Sequence, residues 1–186
     1  DRRSCGSRRQ GGALVLRLAA DHPDRLAGLM LVNPAVNTLR KDVLALPLLK
    51  HVVPAFPGIV NDIKKPGMDE HGYPKSPLKA AASMMAGWKQ LRGDLGRITV
   101  PLLYFRSTVD HVVDDSSEPI ITQGVSSADL TVHRLTNSFH VATIDHDAPT
   151  ILNAGSPNRC ASCLTSTLPS PVRRASDGTS TSADGE

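Results

Sequence analysis

Residues 11–35, GGALVLRLAADHPDRLAGLMLVNPA, join two apolar patterns of different period through a stop signal. Ala13, Leu14, Leu16, Leu18 and Ala19 run almost unbroken and predict a helix over 11–22 that is buried on most sides, ended by Pro23, which cannot continue it. Leu26 to Val32 is then a continuous apolar run between Asp24-Arg25 and Asn33-Pro34, the pattern of a strand covered on both faces in a parallel sheet. A helix leading directly into such a strand is half of an α/β unit.

The same unit recurs downstream. Pro101-Leu-Leu-Tyr-Phe105 and, more weakly, Leu130 to Leu135 read as further covered strands, with a short helix between Ser116 and Val125. The segment from Pro34 to Pro77 is broken by Pro47, Pro54, Pro57, Pro66 and Pro74 and predicts an insertion of small helices and loops rather than sheet. Ser76 as N-cap and Pro77 at the first position then start a longer helix, with Leu78, Ala81, Met84, Met85, Trp88 and Leu91 at helical spacing. From about Asn153 onward the chain turns to Ser, Thr, Pro, Arg and Gly without period, a composition too poor in large apolar groups to order itself.

The 186 residues suffice for one domain with a real core. The net charge of +3 belongs to the two ends, since residues 10–152 hold 14 Lys/Arg against 14 Asp/Glu. A neutral body with 3% aromatic residues speaks against nucleic acid as a partner. No apolar run approaches the ~20 residues of a membrane span, and no hydrophobic leader follows Asp1-Arg-Arg-Ser, so no stable membrane insertion and a cytoplasmic location are expected. Cys5, Cys160 and Cys163 all lie outside the well-patterned body, and Cys160-Ala-Ser-Cys163 lacks a second pair to complete a zinc site.

Three features fall where an open α/β sheet binds ligands, beyond the carboxyl ends of its strands: Gly11-Gly12 at the mouth of the first helix, Asp110 after one covered strand and His140 after the next. Taken singly, Asp110 also reads as a turn residue and His140 as a loop histidine; His111 reads as a neighbour rather than a rival base. His140, Asp145, His146 and Asp147 are all possible metal ligands by type, but their spacing fixes no coordination geometry, and no metal is expected.

The stretches GGALVLRLAADHPDRLAGLMLVNPA, DLGRITVPLLYFRSTVDHVV and LTNSFHVATIDHD, in that order, resemble the α/β-hydrolase superfamily, in particular its bacterial carboxylesterase and monoacylglycerol-lipase-like branch. The resemblance covers roughly residues 10–150. Asp110 follows position 9 by 101 residues and precedes His140 by 30, which suits the family's Ser, Asp, His chain order. It implies a partial α/β-hydrolase fold over 10–152, with a cap insertion at about 34–77, a tail over 153–186, and the family's earlier strands upstream of Asp1. It implies a small-molecule ester substrate, no cofactor, His140 as general base and Asp110 as the acid that orients it.

The family's G-x-S-x-G-G turn aligns Gly11-Gly12 with its last two glycines, which puts Arg9 at the nucleophile and Gln10 at the residue whose N–H helps bind the oxyanion. A guanidinium offers no lone pair for attack. Ser7 lies two residues early and is expected to point away from the apex. Residues 1–9 therefore read as an anomalous segment, of the kind a shifted reading frame produces. Two alternatives to a serine esterase stay open: a non-catalytic fragment or pseudoenzyme, and a relative with another nucleophile, such as a dehalogenase.

Overall fold

The computed structural model describes residues 3–155, with backbone alone for residues 3–10 and for Leu44. In chain order the elements are β1 (Arg3–Arg8), α1 (Arg9–Asp21), β2 (Leu26–Val32), α2 (Leu46–Leu49), β3 (Ala55–Pro57), β4 (Lys75–Pro77), α3 (Leu78–Asp94), β5 (Leu102–Ser107), α4 (Ser117–Gly124), β6 (Leu130–Leu135) and α5 (Ala148–Ala154). The strands β1, β2, β5 and β6 form one parallel sheet in that order, so sheet order follows chain order and every crossover carries helix.

Alternation along each strand sorts side chains into two cores. Leu29 and Leu31, with Leu102 and Tyr104, face a large cluster shared with Leu16 and Ala20 of α1, Trp88 and Leu91 of α3, and Ile121 of α4. Their sequence neighbours Val32 and Phe105, with Leu135, face a smaller cluster closed by Ala142 and by Ile151 of α5. A sheet covered on both faces requires apolar residues at every strand position, which is why these strands read as continuous runs rather than alternations. Each fully buried Leu or Phe contributes roughly 1.5–3 kcal/mol relative to exposure.

Five details differ from the sequence reading. Arg3–Arg8, read as foreign to the family pattern, pairs in parallel with Leu26–Val32 as an edge strand; strand pairing runs through backbone N–H and C=O groups, which its unusual composition leaves intact. Helix α1 is not buried on most sides, for Leu14 and Leu18 are 71% and 42% exposed. The insertion contains a small antiparallel pair, β3 with β4, in which Ser76 faces Phe56. Ser76 is thereby held in extended backbone, and the N-cap of α3 moves one residue on, to Pro77. Helix α5 carries ordered chain to Ala154, past the expected start of the tail; Cys160 and Cys163 lie outside the described residues.

Candidate functional site

The carboxyl ends of β1, β2, β5 and β6 lie along one edge of the sheet, and the loops leaving them carry the predicted residues. The turn from β1 into α1 puts Arg9 at the first position of the helix and Gln10 next to it. One turn inside, Gly12 packs so closely on Pro34 that an added Cβ would lie 2.8 Å from the proline Cβ. That contact presses the head of α1 onto the end of β2. Nothing larger than glycine fits there without a shift.

Asp110 and His140, 30 residues apart in sequence, meet at this edge. The His140 Nδ1 lies 2.9 Å from Asp110 Oδ2 and 3.1 Å from Oδ1, and both side chains are all but closed to solvent. A carboxylate only accepts, so the proton of a neutral His140 ring sits on Nδ1 and Nε2 is left with a lone pair. Asp110 Oδ1 also accepts the N–H groups of Val112 at 2.9 Å and Val113 at 2.8 Å. Burial pushes the Asp110 pKa up, but the hydrogen bond and charge of His140 together with the Val113 and Val112 N–H groups outweigh it, and the carboxyl is held below its usual range.

Four residues that the sequence reading passed over or assigned otherwise build the surroundings of this pair. Asn33, at the end of β2 with φ of 46°, donates from Nδ2 to the His140 carbonyl at 2.8 Å and to Ser107 Oγ at 2.9 Å, and its Oδ1 accepts the Ser107 N–H. Asparagine tolerates this left-handed conformation better than most residues, and the Asn-Pro pair closing an apolar run was its one sequence signal. Asp62, from the middle of the insertion, is buried; its carboxylate accepts the His140 N–H at 3.1 Å and, from His111, both the backbone N–H at 3.2 Å and the ring Nδ1 at 2.7 Å. Arg106, inside β5, donates to Asp110 Oδ2 at 2.9 Å. Asp145, considered above as a metal ligand, instead accepts the N–H groups of Lys64, Lys65, Phe139 and His146.

The sequence profile described as serine aminopeptidase, S33, matches residues 9–147, which is most of the chain and takes in helix α1 from its first residue, Asp110 and His140. The chain belongs to the serine aminopeptidase, S33, family. Within this S33 frame it is 37% identical over 143 residues to the thermostable monoacylglycerol lipase of Bacillus sp. (strain H-257), covering 76% of this chain and 56% of the lipase. It superposes at a TM-score of 0.78 and 33% identity on a structure from the study of LipS and LipT, two metagenome-derived lipolytic enzymes, covering 83% of this chain and 63% of that one. The Paleococcus ferrophilus monoacylglycerol lipase shares the fold, with a TM-score of 0.68 at 18% identity over 83% of this chain and 66% of that one. The fold is therefore that of the α/β-hydrolases, and the resemblance to their lipase and esterase branch holds. The chain spans between about half and two thirds of the length of these relatives.

Two cavities flank the S33 site. One of about 240 Å³ lies between the insertion and the core, lined by Leu46, Phe56, Met84, Met85 and Trp88, and closed toward the Asp110 loop by Val112 and Val113. Leu48, in the same short helix as Leu46, stands outside it, 79% exposed on the surface. The second cavity, about 290 Å³, runs from Val32 past His140 to Asp69 and Glu70. Among the described residues no group of three or more His, Cys, Asp or Glu is arranged to hold a metal ion, and no helix is long and apolar enough to cross a membrane.

Proposed function

We propose that the fold represented here cleaves carboxylic esters of the acylglycerol kind through an acyl-enzyme, with His140 as general base and Asp110 as the acid that fixes its tautomer. The observation that supports this most directly is the buried Asp110–His140 contact at 2.9 Å on the same sheet edge as the turn into α1. In the reaction, a hydroxyl at the head of α1 attacks the ester carbonyl carbon while His140 Nε2 takes its proton. The tetrahedral oxyanion is held in part by the Gln10 N–H. Collapse expels the alcohol, which receives the proton from His140, and water repeats the cycle to release the acid.

The acyl chain fits the apolar cavity beneath the insertion, where Met84 and Met85 adapt to a flexible hydrocarbon. The 37% identity to a monoacylglycerol lipase supports glycerol or a similar small alcohol as the leaving group.

With Arg9 at the nucleophile position the first step does not start, and the chain as it stands is a non-catalytic member of its family. A fluorophosphonate probe tests both statements. This polypeptide is expected to stay unlabelled. A version that carries a relative's upstream half together with Arg9→Ser is expected to label, and to label ~10²–10⁴-fold more slowly when His140→Ala is added. Labelling of the unaltered chain, or a folded Arg9→Ser version that stays silent, rejects the reading.

A further inference from the structure

Arg106 is a cation in a central strand, 2% exposed, where removal from water is costly unless the charge is well paired. Its Nη1 donates to Asp110 Oδ2 at 2.9 Å, and its Nη2 donates to the Val113 carbonyl at 2.8 Å and to Asp115 Oδ1 at 2.9 Å. Its Nε–H finds no partner among the described residues, so its hydrogen bonds run through Nη1 and Nη2. The Asp110 oxygen that it contacts is Oδ2, the nearer of the two to His140 Nδ1, at 2.9 Å against 3.1 Å for Oδ1. One carboxylate oxygen is thus shared between a permanent cation and an imidazole.

We propose that Arg106 is a positioning residue that acts through Asp110: by drawing on the shared oxygen it weakens Asp110 as an acceptor toward His140, and so limits how firmly the ring proton is held. A clamp on the loop alone does not account for the arrangement, because the Val112 and Val113 N–H groups already fix the other carboxylate oxygen. Among the described residues, Arg106 and His140 are the side chains that bond the Asp110 carboxylate. Asp62 meets His140 through its backbone N–H, His111 is bound to Asp62, Arg134 is engaged by Glu118, and Asp69 and Glu70 lie across the cavity that His140 faces. Hydrogen bonds in such a closed setting polarise one another, so a change at one end of the Arg–Asp–His series is felt at the other.

The inference rests on Asp110 and His140 being the acid–base pair proposed above, but its test reads the pair itself, so a failure to hydrolyse esters does not touch it. In proton NMR of the full chain, the low-field resonance of the proton between His140 Nδ1 and Asp110 is assigned by its loss in His140→Ala. Arg106→Met and Arg106→Gln, which remove the charge, are expected to move it downfield, and Arg106→Lys, which keeps the charge, to leave it near its original position. If Arg106→Met does not fold, the comparison of Gln with Lys carries the test. An unmoved or upfield resonance in the folded neutral variants overturns the proposal. So does a Lys variant that shifts as far as Gln, or unfolding of the Lys and Gln variants alike, which assigns Arg106 a purely structural role.

Discussion

Asp145 shows how far a residue's type can mislead about its task. A carboxylate within seven residues of two histidines and another aspartate has the chemistry of a metal ligand, yet here backbone N–H groups from two segments converge on it. It staples the Lys64-Lys65 stretch of the insertion to the loop that carries His140. Asp145→Ala leaves these part-buried donors without their acceptor, and since water can reach several of them a loss of about 1–3 kcal/mol is expected in urea unfolding. A variant with an unchanged midpoint contradicts this account of the staple. Asp62 was invisible in sequence for the same reason: its partners, His111 and His140, lie 49 and 78 residues away. Asp110 and His140 stood out because each follows a covered strand, a position legible without knowing what it touches.

Helices and covered strands were the most legible elements. The strands Leu26–Val32 and Leu130–Leu135 have the bounds that their apolar runs predict, and α4 differs from its prediction by one residue at each end. The insertion was less legible, since a three-residue strand such as β3 leaves no period to detect. At the head of α1, Gly12 sets two effects against each other. Alanine is favoured over glycine inside a helix by about 1 kcal/mol, but its Cβ would lie 2.8 Å from the Cβ and 3.2 Å from the Cα of Pro34, which is itself fully buried and cannot retreat. Overpacking of this kind costs ~1–3 kcal/mol, so the steric effect prevails. Gly12→Ala is expected to lower Tm by roughly 2–4 °C for each net kcal/mol lost, and a raised Tm in a calorimetric scan disproves the close contact.

For the whole molecule, the depressed acids make stability depend on pH in a definite direction. Asp110 and Asp145 are held below 3.8 in the fold, in each case because hydrogen bonds, with the His140 charge at Asp110, outweigh burial. Their contribution is present above the unfolded value and is lost as pH falls through the lower folded values. His133, stacked on Phe105, has its pKa lowered from 6.5 by burial; the unfolded chain binds that proton first, so stability declines gently from about pH 6.5 downward. Unfolding free energy is therefore expected to fall in two stages, shallow below about pH 6.5 and steep below about pH 4. His133→Phe removes the first stage and Asp145→Asn reduces the second, and a flat profile between pH 7 and pH 3 refutes the scheme. Sequence alone determined the layered α/β class, the covered strands, the lipase-like kinship and the two residues after the strand ends, because all of these are written in local period and in order along the chain. Only the tertiary structure decided that Arg3–Arg8 pairs with Leu26–Val32, that Asp62 and Asp145 gather donors from distant segments, and that Arg106 and His140 meet on one Asp110 oxygen. Those outcomes depend on donors brought together from distant segments, and convergence in space leaves no mark on the spacing of residues.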